Sequence, residues 1–227
     1  MRTVRLIPAL TIALAASAWA ADSFSLVRRA SIGDKLNYTI SMVFQSGGAE
    51  VVITGKASDT VIDLKDGVIT TERELRDVTI KLDKDSQSLS DIVSSQIRMK
   101  TTGEVLEVRK GTPRADDLRA ARAIQIEVPF EMVKIGDKWS RTFEAKTGLP
   151  ELKSDYTVLR SEKVGGDDAV AIRLQSKESG GAKAMSADGT FWINTANGMV
   201  VKFDVDIKNF PLDSRAIVDL RFRQDKS

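Results

Sequence analysis

Ile32-Gly33-Asp34-Lys35-Leu36 recurs as Ile135-Gly136-Asp137-Lys138-Trp139. Glycine before aspartate makes a tight turn: Gly takes the positive φ that other residues avoid, and Asp bonds nearby backbone N–H groups. A large apolar residue then opens a strand. Gly33, Asp34, Gly136 and Asp137 therefore read as structural turn residues rather than as catalytic ones. The downstream elements recur in the same order. The first half runs into Asp66-Gly67 and the second into Gly165-Gly166, both hairpin turns. Each half then reaches another hairpin, around Thr101-Thr102-Gly103 or around Thr195-Ala196-Asn197-Gly198. Three matches in one order predict a duplicated unit of about five strands, whose apolar face and open edge a second copy helps to cover.

Outward from these turns most segments alternate with period two. Leu36, Tyr38, Ile40 and Met42 share a face, as do Val170, Ile172 and Leu174, and Phe203, Val205 and Ile207. This predicts a mainly β chain of about ten antiparallel strands. Two segments break the pattern. Thr112-Pro113, with Asp116 and Asp117 after it, predicts a helix over about 113–123, with a cap, a first-position proline and acids in the first turn. Leu89, Ile92 and Val93 on one face predict a second, short helix over 86–94. Residues 177–189, rich in Gly, Ala, Ser and Lys, read as an exposed loop. The expected division is a first β half over 21–112, a helical connection over 113–128, and a second β half over 129–227. The halves would form one domain or two packed repeats.

Residues 1–20 read as a signal peptide. Arg2 and Arg5 precede an apolar run from Leu6 to Ala16, and Ala18-Trp19-Ala20 fits the cleavage site. The run is shorter than the roughly 20 apolar residues a membrane span needs. The expected location is the periplasm or the exterior of a bacterial envelope, with no transmembrane segment after cleavage. Removing residues 1–20 takes Arg2 and Arg5 from 34 Lys and Arg, leaving 32 against 32 Asp and Glu. A neutral chain argues against nucleic acid as a partner, which requires a dense basic surface.

The chain has no His and no Cys. That removes the commonest general base, thiol catalysis, and the usual zinc or iron ligands. Asp116/Asp117 and Asp167/Asp168 suit a helix start and a turn, and Asp204 and Asp206 suit a solvent face. No catalytic residue, metal site or cofactor is expected. The aromatic residues concentrate in the second half. Phe191-Trp192-Ile193 is apolar on both strand faces, and such a strand needs cover on both. Trp192, Phe191, Tyr156 and Phe203 are therefore the expected ligand contacts.

Val128-Pro129-Phe130-Glu131-Met132-Val133-Lys134-Ile135-Gly136-Asp137-Lys138-Trp139 resembles the hallmark of a group of uncharacterised bacterial secreted proteins. Thr102-Gly103-Glu104-Val105-Leu106-Glu107-Val108 resembles their second recurring element, a hairpin. Such proteins are similar to the lipoprotein-localisation (LolA/LolB-like) fold. The resemblance implies a large curved antiparallel sheet, an open half-barrel with helices against its concave face. It carries over no catalytic residue, and the lipobox cysteine is missing. Together these readings imply a non-catalytic binding module for an apolar small molecule, a lipid or a lipidated partner. The alternatives are a structural or protein-interaction component of the envelope and, last, a hydrolase.

Overall fold

Alternating stretches become strands that pair antiparallel throughout. The computed structural model describes residues 23–83, 85–89, 93–109, 115–211 and 217–226. The signal-peptide segment and Thr112-Pro113 lie outside them. The first half contains β1 (Ser23–Phe24), β2 (Lys35–Ser46), β3 (Ala49–Lys65), β4 (Val68–Leu82), β5 (Asp85–Leu89), β6 (Val93–Lys100) and β7 (Val105–Arg109). The helix α1 (Ala115–Ala123) comes next. The second half contains β8 (Val133–Lys134), β9 (Lys138–Phe143), β10 (Leu152–Val164), β11 (Asp167–Glu178), β12 (Ser186–Asn194), β13 (Val200–Pro211) and β14 (Ile217–Lys226).

Twelve strands form one sheet, ordered β7-β6-β4-β3-β2-β14-β13-β12-β11-β10-β9, with β5 paired to β4 beside this path. β1 and β8 form a separate two-stranded ladder. The path is open, with β7 and β9 at its two unpaired ends. The expected curved half-barrel, and the lipoprotein-localisation likeness built on it, are therefore corrected to one large open antiparallel sheet with one short helix. Phe191-Trp192-Ile193, apolar on both faces, needs no concave shelter on its outer side. That face is covered locally, by Glu162 and Lys202 against Trp192.

The second predicted helix is also corrected. Residues 85–89 are an exposed strand, because β4 outruns β6 and leaves edge groups from Val78 to Leu82 for β5 to pair. The predicted loop shrinks as well. Lys177 and Glu178 belong to β11, Ser186 to Gly189 belong to β12, and Met185 between them is fully buried.

The halves repeat in tandem. β2-β3-β4-β6-β7 and β9-β10-β11-β12-β13 are meanders of the same order, and β14 lies between β13 and β2. Their entry turns carry the same hydrogen bonds. Gly33 N donates to Val61 O at 2.8 Å, and Gly136 N to Val158 O at 2.9 Å. Ser31 N donates to Asp34 Oδ2 at 2.7 Å, and Lys134 N to Asp137 Oδ2 at 2.8 Å. Gly33 and Gly136 have φ of 93° and 92°. A register shift lies between Val61 and Asp63 in one half and between Val158 and Arg160 in the other.

A tandem order puts the end of the first meander at one edge of the sheet and the start of the second at the other. Residues 110–137 join them. α1 packs against β7 and β13. It is tied to the sheet by Arg119, whose Nε and Nη2 donate to Glu178 Oε1 and Oε2 at 2.8 and 2.6 Å. The irregular backbone after α1 is buried, so its polar groups need partners. Ser176 Oγ donates to Ala123 O at 2.7 Å, Trp139 Nε1 to Glu127 O at 2.8 Å, and Val128 N to Thr102 O at 2.8 Å.

The N-terminal segment lies over both second hairpins. Arg28 N donates to Thr101 O at 2.9 Å and Arg29 N to Asn197 O at 2.8 Å. This proximity explains Gly103 and Gly198. A Cβ on Gly103 would sit 2.0 Å from Ile126 O, and one on Gly198 would sit 2.5 Å from Val27 O. Gly103→Ala and Gly198→Ala should each cost on the order of 3 kcal/mol, through clash and positive φ together. Gly47→Ala, also at positive φ but in open space, should cost about 1 kcal/mol. Urea midpoints of the three variants check this, and equal losses would contradict it.

Candidate functional site

Below α1 and the segment after it is a cavity of about 160 Å³. Its walls are mostly apolar: Ile69, Ile97, Met99, Phe191, Phe203 and Phe222 contribute, from strands of both halves. Phe203 is the centre of the aromatic wall, with ring centroids 5.3 Å from Phe191 and 4.7 Å from Phe222.

The polar lining is sparse and specific. Arg73 donates from Nε and Nη2 to the two oxygens of Asp59, both at 2.8 Å. This paired geometry fixes both side chains. Burial opposes the Arg73 charge, but the adjacent Asp59 carboxylate outweighs it and holds the guanidinium protonated. Burial in turn raises the Tyr38 hydroxyl well above its ordinary pKa, so it stays neutral. Arg28 reaches the same cavity with no acidic partner among the described residues. Its Nη1 is buried with no hydrogen-bond partner, and burial lowers its pKa to about 10. Gln125 uses its Oε1 to accept from Val105 N at 2.7 Å, but its Nε2 is buried without a partner, as is Gln224 Oε1.

The duplication supplies an internal comparison. Because Val61 and Val158 occupy equivalent places beside the entry turns, Asp59 corresponds to Tyr156. Their cross-strand partners Arg73 and Leu174 correspond, as do Leu36 and Trp139. In the second half these positions fill the core. Tyr156 and Leu174 are almost wholly buried, and Trp139 stacks on Tyr156 at 5.1 Å. In the first half Leu36, Asp59 and Arg73 line the cavity. Equivalent places in one architecture are thus packed on one side and left open and polar on the other.

Of the expected contacts, Phe191 and Phe203 stand side by side in the cavity wall. Tyr156 does not line it. Its hydroxyl donates to Gln125 O at 3.3 Å and accepts from Glu127 N at 3.4 Å, so it props the segment that roofs the cavity. Burial pushes its pKa up to about 12, which keeps that hydroxyl a donor. Trp192 is on the opposite face, where Nε1 donates to Glu162 and Lys202 lies 5.3 Å from the ring. That face holds an open polar groove already crossed by ion pairs such as Arg173–Asp188 and Arg221–Asp204. Gly33, Asp34, Gly136 and Asp137 make the entry turns of the two meanders.

Sequence reasoning does not single out Arg28, Asp59, Arg73, Gln125 or Gln224. Two of them leave a trace in the sequence. Leu220, Phe222 and Gln224 share a strand face that Gln224 ends with a polar residue, and Ile69, Thr71, Arg73 and Leu75 share another in which Thr71 and Arg73 interrupt the apolar pattern. Arg28 precedes any long strand and leaves no such trace.

Among the described residues no group of three or more Asp or Glu can hold a metal ion, and no helix is long and apolar enough to cross a membrane. No protein-family model matches the chain, and no curated protein matches it either.

Tryptophan substitutions separate the two faces. Trp139→Ala should cost about 3 kcal/mol, since it removes a stacked ring and leaves Glu127 O without its donor. Trp192→Ala should cost under about 1 kcal/mol, as expected for a surface side chain. Chemical denaturation of both variants measures this, and the reverse ranking would contradict the placement.

Proposed function

We propose that this protein is a non-catalytic binding module of the bacterial envelope that takes a small apolar molecule, or the apolar part of a larger one, into the cavity beneath α1. One observation carries the reading: an apolar cavity, walled by Phe191, Phe203 and Phe222, holds three buried polar atoms that the protein itself does not satisfy. Ligand sites combine these traits, apolar walls for affinity and a few polar groups for orientation. Native proteins leave few buried polar atoms unpaired, so a group of them around one cavity calls for a specific cause.

The cavity volume matches engineered apolar cavities of about 150 Å³ that admit benzene. The location rests on the N-terminal segment, with its basic start, short apolar core and small residues at the cleavage site. The resemblance to secreted bacterial proteins at 128–139 agrees with it.

Benzene titrated into the protein should shift side-chain methyl resonances of Ile69, Ile97 and Met99. Val105→Phe, which projects a larger side chain into the same space, should abolish those shifts. If benzene leaves the methyl groups of the wild-type protein unmoved, the cavity is not a binding site and this reading falls.

A further inference from the structure

We infer that the ligand of this cavity is a small organic carboxylate, its apolar body about the size of a benzene ring and its carboxylate held by Arg28. The inference rests on the proposed binding function and names the chemistry of its ligand.

Charges and hydrogen bonds inside the cavity do not balance. Three charged side chains line it: Arg28, Arg73 and Asp59. Arg73 and Asp59 satisfy each other through two hydrogen bonds. Arg28 is left as one uncompensated positive charge. It has no ion pair among the described residues, and Nη1 is out of solvent with no acceptor. Arg28 is half-buried as a residue, with Nη1 on the edge that is out of solvent. A buried charged donor without an acceptor is costly, and an anion that accepts from it removes that cost.

The neighbouring orphans fit the same guest. Gln125 Nε2 is a free donor whose amide is fixed from its other end by Val105 N. A carboxylate has two oxygens, one for each of these donors, and a planar anion suits the guanidinium fork. Gln224 borders the cavity with an unsatisfied amide oxygen, which accepts a hydrogen bond from a ligand hydroxyl or from water. The position of Arg28 is itself determined. Its backbone N is bonded to Thr101 O, and its guanidinium lies where Gly103 has no side chain, with Nη1 2.2 Å from the place a Cβ would occupy.

Size selects the class of carboxylate. A cavity of about 160 Å³ accepts one ring or a short chain, given that about 150 Å³ accepts benzene. Nucleotides, sugars phosphorylated at several positions and whole acyl lipids are too large to enter it. The wall of Phe191, Phe203 and Phe222 suits a flat apolar body.

Isothermal titration calorimetry with benzoate, hexanoate and benzyl alcohol tests this on the purified full chain. Benzoate and hexanoate should bind at least tenfold more tightly than the uncharged benzyl alcohol. Arg28→Gln should weaken benzoate at least tenfold, as expected for a charged hydrogen bond. It should weaken benzyl alcohol far less than benzoate. Arg28→Lys keeps the charge without the fork and should fall between. Circular dichroism melts establish that the variants fold, and if Arg28→Gln does not, Gln125→Leu replaces it, with the same direction of change for benzoate. Equal affinity for benzoate and benzyl alcohol, unaffected by Arg28→Gln, would overturn the carboxylate and leave the apolar site standing. Absence of binding by all three compounds, together with benzene, would overturn the proposed function itself.

Discussion

Two hairpin tips pressed against buried backbone hold this architecture together. Two meanders arranged in tandem leave their connecting ends at opposite edges of the sheet. The chain must therefore cross back over itself, and its irregular crossing segment is buried against polar groups of both halves. That segment and residues 26–29 press on the tips at Gly103 and Gly198, where there is no room for a Cβ. Thr101, Thr102 and Asn197 supply the carbonyls that satisfy Arg28, Val128 and Arg29. The same contact brings Arg28 and Gln125 to the cavity. Fold and candidate site thus share one set of backbone hydrogen bonds.

Equivalent positions in the two meanders are packed as core in one half and line a cavity in the other. Leu36, Asp59 and Arg73 stand where Trp139, Tyr156 and Leu174 stand in the second half. The second set excludes solvent by stacking and apolar contact. The first set cannot close the space, because Arg73 and Asp59 form a fixed, charged pair at its wall. Both side chains of that pair are half-buried, with relative exposures of 30% and 15%, and apolar residues in such a place are often as stable or more so. An unpaired guanidinium retained beside them is understandable when an anion from outside completes it.

Much of the architecture is legible in the sequence. Turn chemistry at Gly33-Asp34 and Gly136-Asp137 and the shared order of hairpins are local features, and local features survive in one dimension. The joining of β2 to β14 is not local. Its strands lie far apart in the chain, and nothing in their residues says which edges meet. The half-barrel expectation comes from the resemblance at 128–139, and Phe191-Trp192-Ile193, with two apolar faces, reads in sequence as a strand needing cover on both sides. A single salt-bridged neighbourhood around Trp192 satisfies that outer face instead. Residues 85–89 mislead in a similar way: helical spacing of apolar residues yields to an unpaired edge of β4. The site is half legible. Phe191 and Phe203 are conspicuous apolar residues, whereas Arg28 acquires meaning only when the chain folds it over Gly103.

The proposed pairing of Arg28, whose Nη1 is buried without an acceptor, with an organic anion joins the fold to the proposed function. A crystal structure of the purified protein grown with benzoate is its sharpest test. The expected result is a planar ligand between Phe191, Phe203 and Phe222, its carboxylate within hydrogen-bond distance of Arg28 Nη1 and Gln125 Nε2. A cavity left empty or holding only water at saturating benzoate, with the Arg28 guanidinium turned to solvent, would contradict it.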